Sequence, residues 1–141
     1  MSKSYIKVTE EAGAHFFSKQ HTLPVVMLNM LRFKEKADYS TCPELAPVAE
    51  ISGLQAYKRY MKCAAPLLAK SGGELMFSGN ADQFLIGPAE EKWNAVLLVK
   101  HVNMVKFLSF ASDQEYLAIA GHRTAALADS RLLPLVQGSL F

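Results

Sequence analysis

The sequence predicts an α+β fold in which one antiparallel sheet carries its helices on a single face, with the elements in the order βαββαβ. Three observations predict it. Two segments, 25–33 and 93–100, are apolar on both alternate sets of residues, as strands covered on two sides are. Two longer stretches, 53–71 and 104–129, instead carry apolar residues at helical spacing, and each follows a strand-like segment. Finally, 141 residues that are 50% hydrophobic and 20% charged suit one domain around one core.

Taken in order, residues 1–24 form an N-terminal helical prefix. Thr9 caps a short helix through Glu10, Glu11, Ala12, Ala14, His15, Phe16 and Phe17, its two carboxylates in the favourable first turn, and Gln20 to Pro24 ends it. Val25-Val-Met-Leu-Asn-Met-Leu-Arg-Phe33 is the first strand. Residues 34–52 have neither period, contain Pro43 and Pro47, and read as a long loop of the kind that serves as a lid or binding loop. Ser52 caps the first main helix, where Leu54, Tyr57, Met61, Ala64 and Leu68 share a face; Gly72-Gly73 stops it and Pro66 should kink or shorten it. Glu74–Ser78 alternates as a strand, Gly79–Asp82 is turn chemistry, and Gln83–Ile86 reads as a second short strand or the continuation of a bent one. After the strand at 93–100, Asn103 caps a helix to Phe110. Ser112 or Asp113 caps another over Gln114–Asp129, and 131–136 is a last strand placed at an edge by Pro134. Residues 25–141 thus read as a single domain on the ferredoxin-like, split βαβ plan.

Charge and composition remove several classes of function. Fifteen Lys and Arg against thirteen Asp and Glu leave a net charge of +2, with no basic cluster to suggest nucleic acid. Mean hydropathy is +0.09, and the most apolar stretch, 23–31, is interrupted by Pro24 and Asn29 and falls far short of the roughly 20 residues of a membrane span. No apolar signal core follows the first lysines, so a cytoplasmic protein is expected. Cys42 and Cys63 have no metal or redox spacing and read as free thiols. One difficulty remains, since half the residues are apolar in a chain too small to hide them all. The two-faced strands place the surplus on the sheet face away from the helices, and a second copy meeting it around a two-fold axis would cover it.

Several phrases resemble a known family: Val25 to Phe33, Tyr57-Lys-Arg-Tyr60, Ser71-Gly-Gly73, Ile86-Gly-Pro88, Trp93-Asn-Ala-Val96, Glu115-Tyr-Leu117 and His122 to Leu133. Over about residues 24–135 the chain is similar to the domain-of-unknown-function family 1330, within the dimeric α/β-barrel superfamily. The resemblance implies a ferredoxin-like unit and a back-to-back sheet dimer. It implies no single reaction, because that superfamily spans cofactor-free monooxygenases, muconolactone-type isomerases, haem-binding enzymes and amino-acid-binding regulatory modules. Where relatives carry an Asp after the tryptophan, this chain has Asn94, so no carboxylate chemistry carries over to that position.

Candidate site residues follow from chemistry. On the helix expected over 114–129, Glu115, Ile119 and His122 share a face, and Tyr116, Ala120, Arg123 and Leu127 form the next stripe. His122 is the candidate general base for proton abstraction beside a carbonyl, although two turns, about 10 Å, keep Glu115 from orienting it. The same face equally suits a half-exposed helix whose Arg123 binds the prefix or a partner. Asn29 is a lone amide in an apolar strand, so it either orients a ligand or bonds to a neighbouring loop. Arg32, three residues on, points to the opposite face and suits either a carboxylate ligand or an ion pair with a sheet-edge carboxylate. Tyr57, Tyr60, Trp93 and Tyr116 line a small-molecule pocket or belong to the core. His15, His21 and His101 are scattered singly, so neither a metal nor a cofactor is expected. Together these predict a small-molecule-acting homodimer, with an apolar pocket between sheet and helices under the 34–52 loop. It is either a cofactor-independent enzyme of monooxygenase or isomerase type on a small apolar carbonyl or aromatic compound, or a non-catalytic ligand-binding or regulatory dimer.

Overall fold

The computed structural model describes residues 3–19, 22–138 and 140–141. Local chemistry sets most element boundaries. Helix α1 (Glu10–Ser18) starts where the Thr9 side chain accepts a hydrogen bond from the Ala12 amide; Gln20 and His21, in the expected helix stop, lie outside the described residues. Strand β1 (Val25–Phe33) leads through the 34–52 loop to α2 (Gly53–Lys70). A reciprocal capping box starts α2, with the Ser52 hydroxyl accepting from the Gln55 amide at 3.1 Å and the Gln55 side chain accepting from the Ser52 amide at 2.8 Å. Pro66 lies inside α2 without ending it. Both Pro66 and Lys62, whose carbonyl loses its partner, are exposed, so water can satisfy that carbonyl.

Strands β2 (Glu74–Asn80) and β3 (Ala95–His101) form a hairpin, followed by α3 (Met104–Ser112), α4 (Gln114–Ile119), α5 (Gly121–Ala126) and β4 (Leu127–Val136). The sheet is wholly antiparallel in the order β2-β3-β1-β4, the ferredoxin-like arrangement, and β4 with Pro134 lies at an edge. Two expectations need correction. Gln83–Ile86 is not a strand: Gln83 makes one bridge to Lys92, and Leu85 and Ile86 are almost fully exposed. The helix expected over 114–129 is two short helices that end at Ala126, and the last strand begins at Leu127 rather than 131. Thr124-Ala-Ala-Leu-Ala has good helix propensity, but from Leu127 the backbone pairs with Phe33 and then with Arg32 to Val25, and that pairing overrides it.

Alternation along β1 separates two environments. Val25, Met27, Asn29 and Leu31 are buried against the helices, whereas Val26, Leu28, Met30 and Arg32 face the other way. On the helix side, Leu31 and Leu97 pack with Ala56, Tyr57, Tyr60 and Ala64 of α2 and with Ala125, Ala126 and Leu127. A second apolar cluster of Val25, Met27 and Met104 receives Phe16 and Phe17 of α1 together with Phe107. Register puts Val26, Leu28 and Met30 beside Val96, Leu98, Leu133 and Leu135 on the open face, with Phe77 next to Leu98. Phe77 is 56% exposed and Leu133 54%, so a continuous apolar surface faces outward.

The 34–52 loop is stapled to the body. The Ala37 amide donates to the Ile51 carbonyl, that of Asp38 to Ala125 and that of Lys34 to Ala126, and a single 3₁₀ turn spans Pro43–Leu45. Two glycines permit the close packing. A Cβ at Gly53 would meet the Lys34 carbonyl and stand 2.6 Å from that of Ala126, and one at Gly121 would stand 2.7 Å from the Cys42 sulfur.

Candidate functional site

The sequence-predicted residues fall into separate groups. The first joins α5 to the loop. His122, buried on α5, has its Nδ1 2.7 Å from the Tyr39 hydroxyl, and the rings meet edge to face. Burial, helped by the Arg59 charge, lowers the His122 pKa, and burial raises that of the Tyr39 phenol against the pull of Arg59. Both shifts favour the uncharged forms, so one proton is shared between the phenol oxygen and the imidazole nitrogen. Tyr39 also lines a shallow cavity of about 180 Å³ inside the loop, with Ala37, Ala46, Pro47, Ala49, Glu50 and Ile51. Glu115 and His122 lie on different helices, because the chain breaks at Ala120 and Gly121.

A second group fills the space between helices. Tyr57 and Tyr60 of α2 are buried, and the Tyr60 hydroxyl is 2.8 Å from that of Tyr116 on α4. Burial pushes the Tyr57 phenol up to about 12, opposed by the nearby Arg123 guanidinium, and pushes Tyr60 well above its ordinary value. Arg123 itself donates from Nη1 to the Ile6 carbonyl at 2.8 Å and so ties the N-terminal segment to α5.

The third group lies at the end of the open face. Arg32 and Arg131 both stack on Trp93, with guanidinium carbons 4.6 and 5.1 Å from the ring centre, and Arg131 also lies 4.8 Å from the Tyr5 ring. Asp129, with its side chain only 5% exposed, accepts from Arg131 Nη1 at 2.7 Å, from Arg32 Nη1 at 3.5 Å, and from the amides of Tyr5 and Ser130 at 2.8 Å each. Burial alone would raise this carboxyl, but the hydrogen bonds from Tyr5, Arg131 and Ser130 together with the Arg131 charge outweigh it, and its pKa is lowered. Arg32 also donates through Nε and Nη2 to the Lys92 carbonyl. These groups border a cleft of about 310 Å³ lined by Arg32, Pro88, Glu90, Glu91, Lys92, Asp129 and Arg131.

Asn29 joins none of the three. Its amide donates to the Met27 carbonyl of its own strand at 3.3 Å, on the helix side of the sheet, opposite Arg32. Asn94 accepts from the Phe33 amide at 2.8 Å, a bond that anchors the entry to β3. Tyr39, Asp129 and Arg131 escaped the sequence reading. Tyr39 sits in a segment without periodicity, and a helix extended to Asp129 hides the fact that 129 and 131 share one strand face. Among the described residues no three His, Cys, Asp or Glu side chains converge as a metal site, and no helix is long and apolar enough to cross a membrane.

Sheet order, helix placement and an uncovered apolar face define this chain as a ferredoxin-like α+β protein, with the Tyr39–His122 pair and the Arg32–Asp129–Arg131 cluster both beside the end of β1 and the start of β4. Residues 45–138 match the model of the domain of unknown function DUF1330, and the chain belongs to that family. It is similar to the crystal structure of a protein of unknown function from Rhodopseudomonas palustris, with 29% identity, 97% of this chain and 99% of that chain covered, and a TM-score of 0.86. It also shares its fold with a hydroxynitrile lyase from Passiflora edulis, at 13% identity and a TM-score of 0.54 over 86% of this chain and 99% of that one. No curated protein matches it.

Proposed function

We propose that the chain acts on a small apolar carbonyl compound as a homodimer joined through the open sheet face, by cofactor-independent proton transfer of the isomerase type. The observation that carries the reading is the buried Tyr39 hydroxyl, 2.7 Å from a neutral imidazole and beside a cavity. In such a pair the phenol oxygen takes a proton from the carbon next to the substrate carbonyl while its own proton passes to His122 Nδ1. A β,γ-unsaturated substrate is left as its dienolate, and return of the proton to the γ-carbon completes an isomerisation. The homodimer is supported by the apolar character of Val26, Leu28, Met30, Val96, Leu98, Leu133 and Leu135, with charges confined to the ends of that face.

A specific observation favours a second reading, ligand binding without chemistry. Burial and Arg59 both disfavour the imidazolium that proton transfer must create. Hydrogen–deuterium exchange at the α-carbons of a panel of small ketones, followed by NMR with the full chain in D₂O, separates the two. Exchange above the buffer rate that is lost in Tyr39→Phe and His122→Gln supports the enzyme. Saturable thermal stabilisation by a ketone without exchange supports the binder, and neither response overturns both.

A further inference from the structure

The Arg32–Trp93–Arg131 cluster has more cationic capacity than its own fold uses. Two guanidiniums share one indole and one buried carboxylate, so their innermost layer holds two positive charges against one negative. Arg32 is spent structurally, since Nε and Nη2 are bound to the Lys92 carbonyl and Nη1 reaches Asp129. Arg131 is not. Its hydrogen bonds among the described residues all run through Nη1, to Asp129 and the Ser130 carbonyl, which leaves the Nε and Nη2 edge as a planar pair of donors. Stacking between Tyr5 and Trp93 fixes the plane of that guanidinium, so it loses little freedom on meeting an anion.

We propose that the cleft of about 310 Å³ beside Arg131 is a binding site for a small organic carboxylate, held bidentately by the Nε and Nη2 edge of Arg131. The volume suits a small molecule. Charge selects among anions. The lining holds Arg32, Lys92 and Arg131 against Glu90, Glu91 and Asp129, and Glu91 is occupied in accepting from the Trp93 indole at 3.0 Å. A balanced lining tolerates one added negative charge opposite the free guanidinium edge and disfavours the two of a phosphate dianion. Asp129 is a positioning residue here, holding Arg131 Nη1 so that the opposite edge is presented. The site is separate from the Tyr39–His122 pair and does not depend on it.

Trp93 is the single tryptophan, and its ring lies under both guanidiniums, so its fluorescence reports on the cleft. The test titrates the full chain with cyclohexanecarboxylate, with the uncharged cyclohexanecarboxamide and with inorganic phosphate, each to about 10 mM. The expected result is a saturable change with the carboxylate alone, weakened about tenfold or more in Arg131→Lys, which keeps the charge but lacks the planar fork. Arg131→Gln should lose the response, and Arg131→Lys carries the test where Arg131→Gln fails to fold. The proposal is overturned by the absence of a saturable response, by an equal response to the amide or to phosphate, or by unchanged binding in Arg131→Lys. It is also overturned if light scattering shows that Arg131→Gln changes oligomeric state while the carboxylate has no effect on the wild type, which would make the partner of Arg131 a second copy of the chain.

Discussion

His101 gives the molecule a measurable weakness in acid. It sits 2% exposed at the end of β3 opposite Val25, with the Phe107 ring 4.9 Å away and the Phe110 ring 5.6 Å away, and its Nδ1 has no hydrogen-bond partner among the described residues. Burial lowers its pKa from 6.5 to about 4. The unfolded chain therefore binds a proton between those values that the folded chain refuses, and stability falls as pH drops from about 6.5 through about 4, levelling off below. The full loss is about 3 kcal/mol, and about 2 kcal/mol of it has been spent by pH 5. That is a large share of the roughly 5–15 kcal/mol that holds a small domain together. Urea unfolding at pH 7 and at pH 5 measures it in the wild type and in His101→Leu, which removes both the titrating group and the orphaned nitrogen. Subtracting the variant isolates His101 from the other titrating groups, and the difference in stability between the two proteins should change by about 2 kcal/mol over that interval. Parallel pH profiles would refute the reasoning.

Other outcomes follow from the same geometry. Gly53→Ala should destabilise by on the order of 1–3 kcal/mol, seen as a lower Tm, because the added methyl meets backbone carbonyls of Lys34 and Ala126 that cannot yield as a side chain would. Asp129→Asn should cost about 2 kcal/mol in urea unfolding, less than the about 3–5 kcal/mol of a fully buried pair, because the two arginines are about a third exposed. Since the Asp129 pKa is lowered, that contribution is present above the ordinary value of 3.8 and disappears in the wild type as pH falls through the folded value, a convergence the same experiment can follow. Ser52→Ala removes one half of the capping box and should cost about 1 kcal/mol by the same measure.

Much of the fold is legible in the sequence because local and tertiary signals agree there. The β1 segment is apolar on both alternations and is covered by helices on one side only, which is how an uncovered face can be read from residues alone. Ser52, Asn103 and the Ser112/Asp113 pair mark helix starts by side-chain chemistry; Ser52, Asn103 and Asp113 accept the capping hydrogen bonds, and Gln55 adds a reciprocal bond at Ser52. Between Ala125 and Arg131 the signals disagree. Helix-favouring residues are drawn into β4 by pairing with β1, a contact about 100 residues distant that no local window contains. That error concealed the strand face shared by Asp129 and Arg131. The Tyr39–His122 contact joins residues 83 apart through a loop with no period, so only half of the pair was visible. Arg32 illustrates the opposite case, since an ion pair with a sheet-edge carboxylate was one of its two readings and Asp129 occupies that edge strand.

Multi-angle light scattering at micromolar concentration tests the proposed homodimer through the apolar open face. The expected mass is twice the 15.6 kDa chain for the wild type, and 15.6 kDa with unchanged circular dichroism for Leu28→Asp, which puts a charge at the centre of that face. A wild-type mass of 15.6 kDa, or a dimer that Leu28→Asp leaves intact, would contradict it.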